Sequence, residues 1–465
     1  MYRNGMVMLI LVLTLRSVAY GQAGVSSSSV GISKAGLHRT TVNGQFRLPP
    51  ADYFRVEEFV NYHRHQLPLP NGSQSVLLDI RQTQLNRKKS IVQVGITTPR
   101  AMDPKKMPLL NVVLVIDQSG SMSGDRLRRV KESIRAFVER FRPQDRISIV
   151  GFNHSARVHL NACEKSSLGR IQKAIDSIEA GGSTNLHAGL MLGYQIAQKN
   201  LDTERTNRVI LLTDGLANVG TTNSQQIAEQ SGECNKQGIS LSTIGLGDNF
   251  NHELLRKLAD QGKGLLHFVK DSSDIHKTFV SEVDSLLAPA AQGVRLRVQF
   301  SRKCAVKVFG YDPRKENETL IFDLDNLNHG ATQVILFEVV GKKPKVTAKI
   351  DYVDSVTRNS KSLMVKNSAG ELDAASRYRV KRNYGIALLA QSLRDAACQS
   401  NQGEATKAER LLKKGLEASR SVVNSERSLA KDDIVQAEDD EHWLRVAQIC
   451  EKYRAELSKC SDLLD

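Results

Sequence analysis

Residues 111–121 read NVVLVIDQSGS, an apolar run that ends in Asp117 and continues into small polar residues. A continuous apolar segment of this kind is typical of a central parallel strand, because such strands are buried on both faces. Further along the chain, NRVILLTDG (207–215) has the same form and ends in Asp214. Open parallel sheets bind ligands at the carboxyl ends of their strands, so both acids are expected at one edge of the sheet.

Strand and helix signals alternate around these two runs. DRLRRVKESIRAFVERF (125–141) has helical periodicity, while RISIVGFN (146–153) and ISLSTIGLG (239–247) are typical of buried strands. This alternation predicts an α/β domain over 111–289. We expect a doubly wound, Rossmann-like and mostly parallel sheet with helices on both faces.

The flanking segments carry different patterns. Residues 290–370 show only strand signals, which predict an antiparallel β-sheet domain, and residues 371–465 are helical in pattern. The stretch SVLLDIRQTQLNRKKSIVQVGITT (75–98), within an amino-terminal segment at 47–110, predicts two more strands. Because two strands alone make no stable unit, we expect 75–98 to pair with the strands of 293–354. The α/β domain would then be inserted into a β-sheet or sandwich domain, followed by a helical carboxyl-terminal domain.

The amino terminus has the features of an export signal. MVMLILVLTL (6–15) follows Arg3 and is too short to span a bilayer, so it fits the core of a signal peptide over 1–23. An uncleaved anchor is the alternative. Residues 24–46 are rich in Ser and Gly and predict a flexible leader. We therefore expect an exported protein that is periplasmic, secreted or associated with the cell surface.

Six cysteines are spread along the chain, at Cys163, Cys234, Cys304, Cys398, Cys450 and Cys460. None has C-x-x-C spacing, so a zinc site is not expected. An exported location permits disulfides, and a link among the last three cysteines stays open.

The formal net charge of +15 is unevenly placed. Residues 24–110 hold 12 Lys and Arg against 5 Asp and Glu, and residues 290–370 hold 14 against 8. Residues 111–289 are nearly neutral, with 21 against 20. Outside the cytoplasm such basic surface favours an acidic glycan, an anionic lipid surface or an acidic protein over nucleic acid. A solvated basic surface without a partner is the alternative.

The candidate site consists of Asp117, Ser119 and Ser121 after the first strand, Thr184 in GGSTN, and Asp214 in LLTDG. Mg²⁺ prefers six hard oxygen ligands, and the three hydroxyls are neutral ligands of this kind. The two carboxylates would hold ligated waters or coordinate directly. A metal that binds so few protein charges stays electrophilic and attracts an external carboxylate. The pattern therefore predicts a site for Mg²⁺ or Mn²⁺.

These residues, spread over about 111–287, resemble the von Willebrand factor A family. The resemblance implies that the family's metal-ion-dependent adhesion site falls on the same five residues. ADYFRVEEFVNYHRHQLPLP (51–70) and RVKRNYGIALLAQSLRDAA (379–397) resemble two regions of a bacterial exported, lipoprotein-like group of that family. These regions are a conserved amino-terminal segment and a carboxyl-terminal helical domain of unknown function. No cysteine precedes Cys163, so the chain departs from the lipoprotein members in lacking a lipidation site.

We therefore expect an exported, Mg²⁺-dependent protein-binding or adhesion module, and not an enzyme with a small-molecule substrate. The metal would bridge the chain to an exposed Asp or Glu of a protein partner. His187, three residues after Thr184, is expected near the rim of the site and is a candidate for contact with that partner. The alternative is a Mg²⁺-dependent hydrolase that uses the same carboxylates and metal to activate water. No Ser-His-Asp order, H-E-x-x-H motif or P-loop supports it.

Overall fold

The structure is a computed structural model that describes residues 40–42, 45–62, 65–71, 74–100, 108–247, 250–269, 289–300, 304–324, 326–341, 344–367, 372–427 and 434–461. The signal peptide predicted over 1–23 and most of the leader predicted over 24–46 lie outside these residues. Within the described ranges, no helix is both long enough and apolar enough to cross a membrane.

The described residues form strands and α-helices, each numbered in chain order. The strands are β1 (Thr40–Val42), β2 (Gln45–Arg47), β3 (Leu77–Gln84), β4 (Lys89–Thr97), β5 (Leu109–Asp117), β6 (Arg146–Phe152), β7 (Ala156–Glu164), β8 (Arg205–Thr213), β9 (Ile239–Leu246), β10 (Lys263–Val269), β11 (Pro289–Phe300), β12 (Val306–Val308), β13 (Arg314–Glu316), β14 (Thr319–Asp323), β15 (Leu327–Asn328), β16 (Thr332–Val340), β17 (Val346–Asp354) and β18 (Ser360–Lys366). The α-helices are α1 (Val56–Val60), α2 (Asp125–Glu139), α3 (Leu168–Asp176), α4 (Leu186–Lys199), α5 (Ser224–Asn235), α6 (His252–Gln261), α7 (Ala374–Asn401), α8 (Ala405–Arg427) and α9 (Ile434–Ser461).

A six-stranded sheet in the order β10-β9-β8-β5-β6-β7 forms the centre of the α/β domain. Its strands are parallel except β7, which runs antiparallel to β6 at one edge. β5 and β8 are neighbours in the middle of the sheet, so Asp117 and Asp214 leave the same edge, as the sequence predicts. The doubly wound, mostly parallel fold is therefore confirmed.

Both faces of this sheet are covered, which explains the unbroken apolar run of β5. Val112, Leu114 and Ile116 belong to a core formed with α2 and α3. Val113 and Val115 point to the opposite core, formed with α4, α5 and α6. Successive side chains of a strand alternate between its faces, so a strand covered on both sides needs apolar residues throughout.

Two further sheets face each other in a sandwich. One has the order β13-β14-β11-β17-β18, with β15 paired to β11, and the other has the order β12-β16-β4-β3. Their inner faces share one apolar core, to which β4 contributes Val92 and Val94 and β11 contributes Leu296 and Val298.

The α/β domain is inserted into this sandwich. β4, which precedes the domain, pairs antiparallel with β16, which follows it, from Lys89 opposite Val340 to Thr97 opposite Thr332. The pairing predicted between 75–98 and 293–354 is therefore present. The strands of 289–367 divide between the two sheets. β12 and β16 join β3 and β4, and the other strands form the facing sheet.

The carboxyl-terminal helices cover the outer face of the second sheet. α7, α8 and α9 pack together, and their core includes Ile91 of β4 and Leu336 of β16. Phe54 and Phe59 of the amino-terminal segment are buried in the same core, so this segment also contributes to the helical region.

The last residues of the predicted leader include a short hairpin. β1 and β2 pair antiparallel, from Thr40 opposite Arg47 to Val42 opposite Gln45. The last residue of the hairpin, Arg47, and the residue after it, Leu48, contact the end of α7. Arg47 donates a 2.6 Å hydrogen bond to the carbonyl of Asn401, and the backbone N–H of Leu48 donates a 3.0 Å bond to the Ser400 hydroxyl.

The side chains of five of the six cysteines are described, and all five are free thiols. Cys450 is buried in the helical core, where burial raises the pKa of its thiol. Because Cys398 and Cys450 are both free, the link left open among the last three cysteines is not formed by either of them.

Asp354, at the end of β17, ties the amino-terminal segment to the first sheet of the sandwich. Its carboxylate accepts hydrogen bonds from the Ser75 hydroxyl, from Lys361 at 2.8 Å and from the backbone N–H of Thr357 at 2.8 Å. Burial alone would raise the pKa of Asp354, but the bonds from Lys361, Ser75 and Thr357 outweigh it and hold the pKa well below its ordinary value.

The isolated fragment 290–370 is expected to be unfolded or to aggregate, because β16 would lose its ladder with β4 and expose an unpaired edge. Circular dichroism during heating tests this. As a control, a chain in which a flexible Gly/Ser linker replaces 101–288 keeps β3, β4 and the helices and should melt cooperatively. A soluble 290–370 fragment with a cooperative transition would contradict the dependence on β4.

Asp354→Asn is expected to lower the free energy of unfolding at neutral pH by about 2–4 kcal/mol, since it removes a buried, hydrogen-bonded charge. An acid whose pKa is depressed in the folded state stabilises the protein above its unfolded pKa, near 4, and this stability is lost as the pH falls. The difference between variant and wild type should therefore shrink below about pH 4. Urea denaturation at several pH values measures it, and a pH-independent difference would contradict the role of the ionised carboxylate.

Candidate metal centre

Asp117 is the last residue of β5 and lies at the carboxyl edge of the sheet, fully buried between β6 and β8. One carboxylate oxygen accepts a 2.8 Å bond from the backbone N–H of Ser119, and the other accepts a 2.5 Å bond from the Thr213 hydroxyl. The pKa of Asp117 is raised above its ordinary value. Burial is the largest cause and the nearby Asp214 adds to it, while the bonds from Thr213 and Ser119 act in the opposite direction. Both oxygens therefore have fixed partners.

A chain of polar contacts runs from the first loop of the site to the end of β8. The Ser119 and Ser121 hydroxyl oxygens lie 3.1 Å apart, and Ser121 donates a 2.7 Å bond to Oδ1 of Asp214. The Arg126 guanidinium pairs with Oδ2 of Asp214 and donates a 3.1 Å bond to the carbonyl of Ser121. Met122 is fully buried and fixes the 3₁₀ turn Gly120–Met122 that carries Ser121.

The Thr184 loop is attached to both neighbouring loops. The backbone N–H of Gly120 donates a 3.0 Å bond to the carbonyl of Gly182, whose φ of +84° suits glycine. The backbone N–H of Thr184 donates a 2.9 Å bond to the side-chain oxygen of Asn218. A Cβ atom built on Gly215 would lie 3.6 Å from the Thr184 hydroxyl oxygen, so this hydroxyl lies beside the residue that follows Asp214.

The structure thus brings together all five residues predicted from the sequence, at the edge where β5 and β8 end. Their donor atoms are hydroxyl and carboxylate oxygens, which are the hard ligands that Mg²⁺ and similar ions prefer. In the described part of the chain, no three His, Cys, Asp or Glu side chains come together to hold a metal, and this site combines two carboxylates with three hydroxyls. The residues fit a divalent cation, which when bound would supply a Lewis-acidic position for an external oxygen ligand.

The family described as "von Willebrand factor type A domain" matches residues 111–282, the segment that carries this sheet and this site. The chain contains a von Willebrand factor type A domain. The metal-ion-dependent adhesion site of such A domains would correspond to the five residues Asp117, Ser119, Ser121, Thr184 and Asp214.

Relatives of known sequence extend this likeness. YfbK, a protein of Escherichia coli (strain K12) described as uncharacterized, is 30% identical over 320 residues, which cover 64% of this chain and 55% of YfbK. Inter-alpha-trypsin inhibitor heavy chain H2 of Mus musculus is 25% identical over 231 residues, which cover 47% of this chain and 24% of that protein. The chain therefore spans about half or less of the length of these curated relatives.

The fold is also similar to a solved structure. "von Willebrand factor type A from Catenulispora acidiphila" has a TM-score of 0.51 and 13% sequence identity, and the alignment covers 81% of this chain and 96% of that chain. At this identity the likeness shows the fold alone. The aligned 81% of this chain is longer than the A domain, which the family matches over residues 111–282.

His187 lies on the second residue of α4, close in sequence to Thr184. Its ring is half-buried, and Nε2 lies 2.6 Å from the side-chain oxygen of Gln230 on α5. The structure therefore places His187 in a contact between two helices of the A domain. Contact with a partner through this ring stays a prediction.

Three residues of the site were not predicted from the sequence: Thr213, Asn218 and Arg126. Thr213 immediately precedes Asp214 in LLTDG, so its position at the strand end was a usable signal. Arg126 stands in the first turn of α2, where the helix dipole disfavours a cation, and this was also a signal. Asn218 acts through a loop contact that no periodicity indicates.

Asp117→Asn is expected to weaken binding of Mn²⁺ or Mg²⁺ at the A domain by about 10–100-fold or more, as is typical when a group that orients metal ligands is lost. The amide keeps an acceptor for Ser119, so the fold should be retained. Titration calorimetry measures the affinity, and circular dichroism checks the fold. Asp125→Asn is the matched control, because Asp125 is an exposed acid at the start of α2 whose side chain pairs with Arg128 and Arg129. Equal metal affinity in wild type and Asp117→Asn would overturn the assignment.

Proposed function

We propose that this chain is an exported, Mg²⁺- or Mn²⁺-dependent protein-binding module that ligates an acidic residue of its partner through the A-domain site. The observation that carries the proposal is the contact chain Ser119, Ser121 and Asp214 beside the buried Asp117. It offers hydroxyls as neutral ligands and keeps both carboxylates in fixed positions. A cation held in this way keeps much of its charge, which favours a carboxylate from outside.

The carboxylates are better placed to fix ligands than to transfer protons. Asp117 accepts from Ser119 and Thr213, and Asp214 accepts from Ser121 and pairs with Arg126. Each of the four carboxylate oxygens has one donor, so the contacts fix the orientation of both carboxylates and leave acceptor positions for a metal or its waters. This fixed arrangement favours binding, and a turnover measurement distinguishes it from the alternative, a Mg²⁺-dependent hydrolase.

The surroundings of the site also favour a protein partner over a small-molecule substrate. Leu216 and Val219 are exposed on the loop after Asp214, with 55% and 37% of their surfaces accessible. A cleft of about 800 Å³ lies elsewhere, at the amino ends of β8 and β9, where Arg205 and Ser240 line it. None of the five site residues lines that cleft. An open rim with exposed apolar side chains suits a protein surface.

Two parts of the proposal rest on the sequence. Export rests on the apolar run 6–15, which lies outside the described residues. A second contact, with an acidic glycan or an anionic surface, rests on the basic excess of the sandwich. On the described strands, Asp323 pairs with Arg295 and Arg314, and Asp351 pairs with Arg297, so part of this positive charge is neutralised locally.

The test is affinity capture with the purified chain from the periplasmic or extracellular fraction, in Mg²⁺ and in chelator. The relevant partner binds wild type in Mg²⁺ and is lost both in chelator and with Thr184→Val, which removes one hydroxyl and keeps the shape. Asp125→Asn is the control and should bind like wild type. Alanine substitution of exposed Asp and Glu residues in the captured protein should then identify one carboxylate whose loss abolishes binding.

Two results would contradict the proposal. The first is capture that chelator and Thr184→Val leave unchanged. The second is metal-dependent turnover of ester or phosphoester reporters that Asp117→Asn abolishes, since this would favour the hydrolase.

A further inference from the structure

Arg126 makes a contact that sets it apart from the other arginines of α2. Its guanidinium reaches from the first turn of the helix to the fully buried Asp214 side chain at the end of β8. By contrast, Arg128 pairs with Asp125 and Glu132, and Arg129 pairs with Asp125, all on the exposed surface of the same helix. Arg126 is therefore part of the metal centre, whereas its neighbours stabilise the helix surface.

Other groups around Arg126 fix its position. Its Nη1 also donates to the carbonyl of Ser121 at 3.1 Å. Its Nη2 lies 3.5 Å from the point where a Cβ atom on Gly247 would stand, so the guanidinium lies between the first site loop and the end of β9. A side chain larger than glycine at 247 would approach it closely. Nη1 of Arg126 thus donates to one carboxylate oxygen of Asp214, while the Ser121 hydroxyl donates to the other.

This arrangement changes the charge of the site. Asp117 and Asp214 are the two carboxylates of the site, and the Arg126 guanidinium brings one positive charge directly against them. At short range in a partly buried site, one unit of charge has a large effect on how strongly a divalent cation is held. The same charge lies at the edge that a partner would approach, because 38% of the Arg126 side chain is exposed.

We propose that Arg126 is a positioning residue that sets the charge of the metal centre, weakening metal binding while keeping a bound metal more attractive to the partner's carboxylate. The inference rests on the proposed function and adds to it a regulator of the same site. Its consequence is a trade-off, in which loss of the arginine should tighten metal binding and weaken binding of an acidic ligand.

The test compares Mn²⁺ affinity in wild type, Arg126→Gln and Arg126→Lys of the full chain by titration calorimetry. Arg126→Gln should bind Mn²⁺ about tenfold more tightly, since one repelling charge is removed close to the metal. Arg126→Lys keeps the charge and should stay within about twofold of wild type. Arg128→Gln, which makes the same change of charge on the same helix outside the site, should also match wild type.

Thermal unfolding gives an independent measure. Without metal, Arg126→Gln should melt at a lower temperature than wild type, because Asp214 loses its buried counter-charge. Added Mn²⁺ should then raise the melting temperature of Arg126→Gln by more than it raises that of wild type, as tighter binding to the folded state requires. A purely structural arginine would lower stability with and without metal by the same amount.

The outcomes separate this inference from the function on which it rests. If wild type binds Mn²⁺ and Arg126→Gln binds it equally or more weakly, the charge-setting role is wrong and the proposed function stands. If Arg126→Lys behaves like Arg126→Gln, the geometry of the fork matters and its charge does not, which also overturns the inference. If neither wild type nor Arg126→Gln binds Mn²⁺, the proposed function fails and the inference fails with it.

Discussion

The antiparallel pairing of β4 with β16 is the interaction on which the sandwich around the A domain depends. It joins strands on opposite sides of the inserted domain, and its two faces serve two different cores. Val92 and Val94 face the other sheet of the sandwich, while Ile91 and Leu336 face the carboxyl-terminal helices. The backbone hydrogen bonds between β4 and β16 thus hold the middle layer, which packs between the other sheet of the sandwich and the carboxyl-terminal helices. They also join two strands that the A domain separates in the sequence.

Within the A domain, the site is organised by contacts that do not need a metal. Asp117 is held by Ser119 and Thr213, and Asp214 is held by Ser121 and Arg126. Such fixed donors lower the reorganisation required when a ligand binds, because the side chains already occupy one arrangement. The buried ion pair is in keeping with this arrangement, since a buried carboxylate without a partner would be costly.

The sequence was a good guide wherever a strand end determines position. Apolar runs that close on an acid predicted Asp117 and Asp214 at one edge, and the D-x-S-x-S spacing predicted both serines. The sandwich pairing also followed from the sequence, because two strands alone cannot be stable. Contacts made by long side chains across loops were not predictable in this way. Arg126 reaches a residue 88 positions away, and hydrophobic periodicity carries no information about such a contact.

The amino-terminal segment shows a second limit of sequence patterns. Val56, Phe59 and Val60 are apolar residues at helical spacing, and all three are buried in α1. The pattern did not say which surface would bury them, and the structure places them among α7, α8 and α9. The residues at the end of the predicted leader show the same limit. The Ser and Gly content of the leader predicts flexibility, while the docking of Arg47 and Leu48 on α7 depends on residues more than 350 positions away.

The insertion also imposes an order of events on the newly made chain. Lys89 of β4 and Glu338 of β16 are partners 249 positions apart, so at a synthesis rate of roughly 5–20 residues per second β4 waits on the order of 10–50 seconds for its neighbour. During that time the β3–β4 hairpin has an apolar face and an open edge, which are the features that attract wrong partners. The parallel sheet of the A domain can form in this interval, and a folded insert leaves less free chain in the loop that must close. The β3–β4 hairpin must therefore be kept from wrong partners for as long as the A domain is being made.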